Sequence, residues 1–399
     1  MIEKACPSPE PFGERLGAVV LLTVMFFLNF IDRIIFAPLM PAIEQELGLT
    51  HSQAGSLFLL IAIGFFVSTL GSGFVSQRLN HRRTIMLSAV ILGLTLLFFG
   101  FSGSVASMRP IMVMLGLGAG LYMPSGVAII AAMVRREDLG KALGVHSIAP
   151  SLSFILAPLL TEALLGWFGW RGVLAILGGV SVAAGVFFVV FDREGDFPGE
   201  APRPDVAKAI LRQPSLWIMI ALFSLAIGGS TGIFTMLPLF LVSDWGFDHT
   251  RANTLVGLSR ISGLFMSFAA GWLTDKVGEK RAIFLVLLAA GIGTILLGTS
   301  PRSWVAAMVF LQPALAACFF PPGFTALSRI SEPNLRSITV SLNAPSAFLI
   351  GAGAIPALIG FTGEVGSFSL GIALVGGLML LGPIIVRSLE LREFEQEGC

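Results

Sequence analysis

Twelve apolar runs, each long enough to cross a lipid bilayer as a helix, divide this chain of 399 residues. They cover approximately residues 16–41, 52–77, 84–103, 108–134, 140–165, 171–191, 214–242, 252–274, 282–300, 303–328, 336–361 and 366–387. In lipid a segment must satisfy its own backbone N–H and C=O groups, so each run is expected to be a helix. Crossing the hydrocarbon takes about 20 residues, and the longer runs are expected to tilt or bend. The first run is too long, and too poorly followed by a cleavage site, for a removed signal peptide.

Composition narrows the function classes. Apolar residues make up 55% of the chain and charged residues 12%, about half the charged share of a soluble domain. A net charge of +1 leaves neither a nucleic-acid footprint nor an acidic tail. Four His and three Cys, Cys6, Cys318 and Cys399, are scattered along the chain. They form no metal cage or disulfide framework, so neither a metal nor a cofactor is expected. The sequence also lacks a nucleotide-binding glycine loop, a sizeable soluble domain and an acid/base pair with a metal, which argues against an enzyme or a receptor.

With the N-terminus placed in the cytoplasm, 19 of the 25 Lys and Arg residues lie at the termini and in the even-numbered loops. Four, Arg109, Arg171, Arg251 and Arg302, fall on the other side, and two remain inside spans. That bias predicts both termini on the cytoplasmic face, in a bacterial inner membrane.

The longest polar interruption runs from Asp192 to Gln213 and holds Pro198, Pro202 and Pro204 among mixed charges, which suits an exposed linker. The expected organisation is a six-helix bundle over 1–192, a linker over 193–213 and a second six-helix bundle over 214–399. Shifting the second half onto the first by 198 residues tests their relatedness. Gly48 then meets Gly246, His51 meets His249, Gly73 meets Gly271, Arg83 meets Arg281 and Gly93 meets Gly291. With small gaps Pro124 meets Pro321, and Ala149-Pro150-Ser151 meets Ala344-Pro345-Ser346. One offset held over several segments indicates a duplicated six-plus-six transporter.

The loop after the second helix of each half carries a family resemblance. Gly271-Trp272-Leu273-Thr274-Asp275-Lys276-Val277-Gly278-Glu279-Lys280-Arg281 resembles the signature of the major facilitator superfamily, a glycine followed by Asp, Gly and a basic cluster. In the first half Gly73, Arg78, Arg82 and Arg83 are kept, whereas Gln77 and Asn80 replace the aspartate and the second glycine. The resemblance implies the superfamily's all-α fold of 12 transmembrane helices in two pseudo-symmetric bundles, with these loops as cytoplasmic latches. Topology-setting charge accounts for part of the basic cluster.

Ionisable residues inside spans point to function, because each costs at least a few kcal/mol unless it meets a partner or a cavity. Asp32 and Arg33 lie in the first helix and Arg260 in the eighth, each about 22 to 25 Å from the cytoplasmic end at ~1.5 Å per residue. Two cations against one anion suit an anionic substrate; an Asp32–Arg260 ion pair is the structural alternative. Asn29 shares a helix face with Asp32 and Arg33. The only tyrosine, Tyr122, and Gln312 of the tenth helix are further candidates to contact substrate. Ser230 and Thr231, within Gly228-Gly229-Ser230-Thr231-Gly232, belong to a stretch expected to unwind and meet an anion, or else to pack helices closely. Asp32 is the first candidate to carry a coupling proton and His146 the second.

The first-helix Asn-x-x-Asp-Arg run is similar to organic anion:cation symporters and sphingolipid-type transporters. Tyr122-x-Pro124-Ser125 together with an eighth-helix arginine resembles monocarboxylate and oxalate transporters. The glycine–proline motif of antiporters is represented only by scattered pieces between Gly144 and Pro158. These resemblances imply a proton-coupled symporter of a small organic anion, a monocarboxylate first, working in the bilayer as a monomer. A proton-driven exporter of amphipathic compounds is the alternative, supported by 33 Phe.

Overall fold

A computed structural model describes residues 10–191, 194–201, 204–332 and 335–391. Lys4, Cys6, Asp192, Arg193, Pro202, Arg203, Arg392 and Cys399 lie outside them. Among the described residues the chain is helical apart from turns and one isolated parallel bridge between Glu10 and Val134. Ten stretches are long and apolar enough to span a membrane. Two of these, of 50 and 53 residues, would each reach more than ~70 Å if straight, over twice the hydrocarbon thickness. Both are broken, at Asn80 (φ 65°, ψ 166°) and at Gly169 (φ 62°, ψ 173°), so ten stretches resolve into twelve helices.

These are α1 (Phe12–Leu47), α2 (51–79), α3 (81–100), α4 (Val105–Met133), α5 (139–168), α6 (170–191), α7 (Pro214–Ser243), α8 (His249–Val277), α9 (Glu279–Thr299), α10 (Arg302–Ser328), α11 (Ile338–Val365) and α12 (Phe368–Ser388). A short helix, Pro204–Leu211, precedes α7. Large apolar side chains such as Phe265, Phe268 and Val190 stand 61–82% exposed, as expected where the solvent is lipid rather than water. The chain is a multi-pass integral membrane protein.

The repeat read from the sequence recurs in the backbone. Gly48 and Gly246 both have φ of 63°, and His51 and His249 both open the following helix. Asn80 and Gly278 match in the same way, at φ 65° and 80° with ψ 166° and 160°. This corner of the map is almost reserved for glycine. Asn80 holds it by donating to Asp196 Oδ1 (2.6 Å) and by accepting the Arg83 amide at 3.0 Å as the cap of α3.

Small residues set the helix crossings. A Cβ on Gly178 of α6 would lie 2.6 Å from the Gly93 carbonyl of α3. One on Gly376 of α12 would lie 2.8 Å from the Gly291 carbonyl of α9, one repeat later. Proline and glycine interrupt helices in step too. α4 is broken at Leu121 and α10 at Cys318–Phe319, just before Pro124 and Pro321. α1 is broken at Ile35, because Pro38 has no N–H for the Ile34 carbonyl. The Cys318 thiol is buried against the Ala314 carbonyl at 3.3 Å.

Compactness divides the chain into two units, Met1–Phe36 with Ile63–Pro202, and Ala37–Ala62 with Arg203–Cys399. The boundary therefore falls inside α1 and α2 rather than only at the linker. In the first unit, Val19, Leu22, Phe26, Ile130, Met133 and Phe188 build a core in which each is at most 7% exposed. The N-terminus of α1 is tied down by Asp138, which accepts the Phe12 amide (3.1 Å) and the Lys141 ammonium (2.7 Å). The lysine hydrogen bond, aided by that amide, holds the Asp138 carboxyl below its ordinary pKa. In the second unit, the outer half of α1 and the start of α2 pack on α8 and α11. Asn253 donates to the Pro38 carbonyl (3.2 Å), and Glu364 accepts the Ser52 amide (3.0 Å).

A Cβ at position 278 would meet open space, so Gly278→Ala is expected to cost only backbone strain, about 1–3 kcal/mol. Asn80→Ala should cost ~1 kcal/mol through the lost cap. Apparent melting temperatures of the purified variants check both; an unchanged Gly278→Ala protein would contradict the strain argument.

Candidate functional site

Each unit carries one buried arginine within a span, built from its own surroundings. In the first unit Arg33 is 6% exposed. Its guanidinium lies 4.7 Å from the ring centre of Phe30 and 4.9 Å from that of Phe65, and Nε donates to the Asn29 carbonyl at 3.3 Å. Aromatic faces offer a cation the electron density that lipid cannot.

Asp32, the next residue, points elsewhere, since neighbours on a helix diverge by about 100°. It is fully buried, and its Oδ2 accepts the Ser181 hydroxyl of α6 at 2.6 Å. Asn29 donates to Ser88 Oγ of α3 and to the Ala119 carbonyl, both at 3.2 Å. Asn29, Asp32, Ser88, Tyr122 and Ser181 line one narrow interstice inside the unit, too tight to admit a water molecule. The expected shared face of Asn29 and Asp32 is thus present and turned into the bundle.

Tyr122 and His146 meet each other. Tyr122 Oη donates to the Leu22 carbonyl at 2.5 Å and lies 3.1 Å from His146 Nε2. Phe26 stacks on both rings, with centres 5.3 and 4.6 Å away. Each of the two is 1% exposed, so in this conformation the phenol and the imidazole are committed to the core.

In the second unit Arg260 is 8% exposed. It donates to the Ser230 carbonyl (3.0 Å) and more loosely to Ser230 Oγ (3.5 Å), with its guanidinium 4.7 Å from the Phe234 ring centre. Gln312 donates to the Gly229 carbonyl (2.7 Å) and to Thr294 Oγ1 (3.1 Å). Both side chains therefore converge on Gly228–Gly232, where the sequence suggests unwinding. The stretch is instead one π-helical turn, in which Ser230 and Thr231 are 7% and 8% exposed. Widening the turn keeps the segment helical while turning carbonyls toward the side chains. Its glycines also admit α11, itself π-helical over Leu349–Ala354, since a Cβ on Gly351 would lie 2.7 Å from the Gly228 nitrogen. The close-packing reading of these small residues therefore holds here.

The sequence profile of the Major Facilitator Superfamily matches residues 22–299 and, again, 225–397. The chain belongs to this superfamily. A protein described as a probable sulfoacetate transporter from Cupriavidus necator is 23% identical over 326 residues, 75% of each chain. Multidrug resistance protein 2 of Bacillus subtilis is 24% identical over 372 residues, 85% of this chain and 93% of that one. A bacterial homologue of the human lysosomal transporter Spinster, solved in an inward-facing, occupied conformation, has the same fold. Its TM-score is 0.75 at 18% identity, covering 95% of this chain and 96% of the other. Its relatives and its fold are those of the superfamily's transporters, so this protein is a transporter and not an enzyme.

The superfamily loops divide into those that hold structure and those left open. Arg82 donates to the Val189 carbonyl through its side chain and to the Gly195 carbonyl through its amide (3.1 Å). Arg78 and Arg83 are exposed and Gly73 is half-buried. In the second loop Asp275 and Arg281 are exposed, and Lys280 donates to the Arg387 carbonyl at 3.3 Å. A Cβ on Gly271 would meet nothing within 4 Å, so close helix contact does not explain that glycine in this conformation.

Sequence reasoning missed Ser181, Ser88, Phe65 and Phe234. Each is an ordinary span residue whose partner lies 30 to 149 positions away or on another helix, and one chain without its contacts carries no signal for that. Only Phe30 and Phe234, within four residues of Arg33 and Ser230, were open to a helix-face argument.

Tyr122→Phe removes one hydroxyl with two internal partners and keeps the ring stack. A loss of about 0.5–1.5 kcal/mol is expected, visible as a lower apparent melting temperature. A variant as stable as the parent would show that the phenol is not holding α1 to α4.

Proposed function

We propose that this transporter carries a small organic anion, a monocarboxylate in the first instance, by alternating access of two six-helix bundles (1–192 and 214–399, joined by 193–213), and that protons drive it. The observation that carries the reading is the pair of span arginines. A guanidinium stays charged at any ordinary pH. Placing one in each unit, at 6% and 8% exposure, commits the fold to two positive charges where lipid-exposed sequence would carry none. Anion binding gives those charges a use. Sulfoacetate, which the Cupriavidus relative is described as carrying, is a small organic anion of this chemical class.

In this reading Arg33 and Arg260 supply the positive charge for the anion, each from its own unit, with Ser230 and Thr231 beside Arg260. Asn29, Tyr122 and Gln312 set the helices that carry them and reach substrate as those helices rearrange. Asp32 takes and releases the coupling proton, with His146 as a second station. Gly73, Arg78, Arg82, Arg83, Gly271, Asp275, Gly278, Lys280 and Arg281 latch the cytoplasmic mouth. The protein works as a monomer in a bacterial inner membrane with both termini in the cytoplasm, the side on which positive loops are retained.

A second reading, export of amphipathic compounds, is favoured by one observation: both arginines lie against phenylalanine rings, and such rings also suit apolar drugs. The multidrug relative covers most of the chain at a comparable identity.

Uptake of labelled monocarboxylates into proteoliposomes, with and without an inward proton gradient, separates the two readings. Gradient-driven accumulation is expected, and extrusion of cationic dyes without anion uptake would overturn the proposal. Arg260→Ala should lower transport by more than about tenfold, ~1.4 kcal/mol or more, in a protein that elutes as a folded monomer. Asp32→Asn should abolish gradient-driven accumulation and retain counterflow exchange; intact coupling would remove Asp32 from the proton path.

A further inference from the structure

Where α9 begins and α12 ends, the second unit has a groove of about 300 Å³ lined by Lys280, Arg281, Phe284, Leu285, Val386 and Arg387. Its walls are almost wholly apolar, formed by Phe284, Leu285, Val386 and the aliphatic stems of Lys280, Arg281 and Arg387, whose charged groups stand at the helix ends rather than inside it. The Arg387 guanidinium lies 5.8 Å from the Phe284 ring centre, and Lys280 reaches the Arg387 carbonyl (3.3 Å), so the two helix ends are joined across the groove. The acidic neighbour at the start of α9, Glu279, is engaged by Arg329 of the chain following α10, at 2.7 Å. The groove's own cations are therefore not matched by it.

We infer that this groove binds an anionic phospholipid, with the phosphate between Lys280, Arg281 and Arg387 and the first acyl segment along Phe284 and Leu285. Two features select this occupant. A free anion would use the cations alone and gain nothing from the apolar floor. A neutral lipid would fill the floor and leave three cations without a counter-charge. A molecule with a phosphate attached to hydrocarbon matches both, and basic recesses between span ends are suited to such headgroups. Leu285 is 45% exposed, which leaves the groove open sideways to a lipid arriving within the bilayer. The inference shares Lys280 and Arg281 with the proposed latch, and it does not depend on the substrate being an anion.

Native mass spectrometry of the full chain released from nanodiscs, with equal amounts of phosphatidylglycerol and phosphatidylcholine, tests it. Retention of phosphatidylglycerol over phosphatidylcholine is expected. Each cation replaced among Lys280→Gln, Arg281→Gln and Arg387→Gln should weaken that retention about fivefold. Circular dichroism and elution volume identify misfolded variants, and Arg387→Gln alone, at the end of α12, provides a mild variant for the same comparison. Three results would overturn the inference: equal retention of the two lipids by the parent, undiminished preference in the folded variants, or displacement of phosphatidylglycerol by millimolar inorganic phosphate, which would make this a phosphate site.

Discussion

Backbone-to-backbone contact between helices is the constraint on which this fold rests. Lipid tails are as apolar as leucine, so hydrophobic burial does not hold two helices together in a bilayer, and close packing has to do so. The chain meets this demand at Gly93 against Gly178 and at Gly291 against Gly376, where a single added carbon would fall at or below 3.1 Å from a facing carbonyl. The same device joins α7 to α11 through Gly228, Gly232 and Gly351. Each crossing brings a helix with a polar side chain within reach of a neighbour. Gln312 reaches the Gly229 carbonyl, and Asn29 the Ala119 carbonyl, because the helices already sit close.

Within that scaffold, the cost of keeping charge in the spans is met locally and differently in the two units. Arg33 lies between two phenylalanine faces, whereas Arg260 combines one face with a carbonyl that a π-helical turn presents. The Ser230 carbonyl is shared, since it accepts the Ile233 amide as well as the Arg260 guanidinium. Asp32 is served by a single hydroxyl, Ser181, from a helix 149 residues away in sequence.

Much of the fold was legible in the sequence, since the apolar runs, the internal repeat and the glycine–proline punctuation act through local rules. Asn80 illustrates the limit. Its alignment with Gly278 reads as a lost glycine, yet the backbone there keeps the glycine conformation and asparagine supplies a cap. The fusion of α2 with α3 and of α5 with α6 into continuous stretches follows from the same tight corners. The site was legible in its charges and not in its orientation. Tyr122 and His146, read as separate candidates, share Phe26 as a common packing surface, and no spacing of 24 residues announces such a contact. Nor does a one-dimensional pattern reveal that the compact units divide α1 at Phe36.

Comparison of the repeats separates scaffold from function. Positions that agree between the halves are conformational: Gly48 with Gly246, Gly93 with Gly291, Pro124 with Pro321. The charged positions inside the spans agree nowhere. At the common offset Asp32 and Arg33 meet Ser230 and Thr231, and Arg260 meets Ala62. A duplicated pair of bundles needs matching crossings, whereas each unit accommodates its own buried arginine with different partners. The glycines at the crossings are alike in the two halves, and the polar residues within the spans differ. In the proposed reading, the residues assigned to the anion therefore lie where the two halves cease to resemble each other.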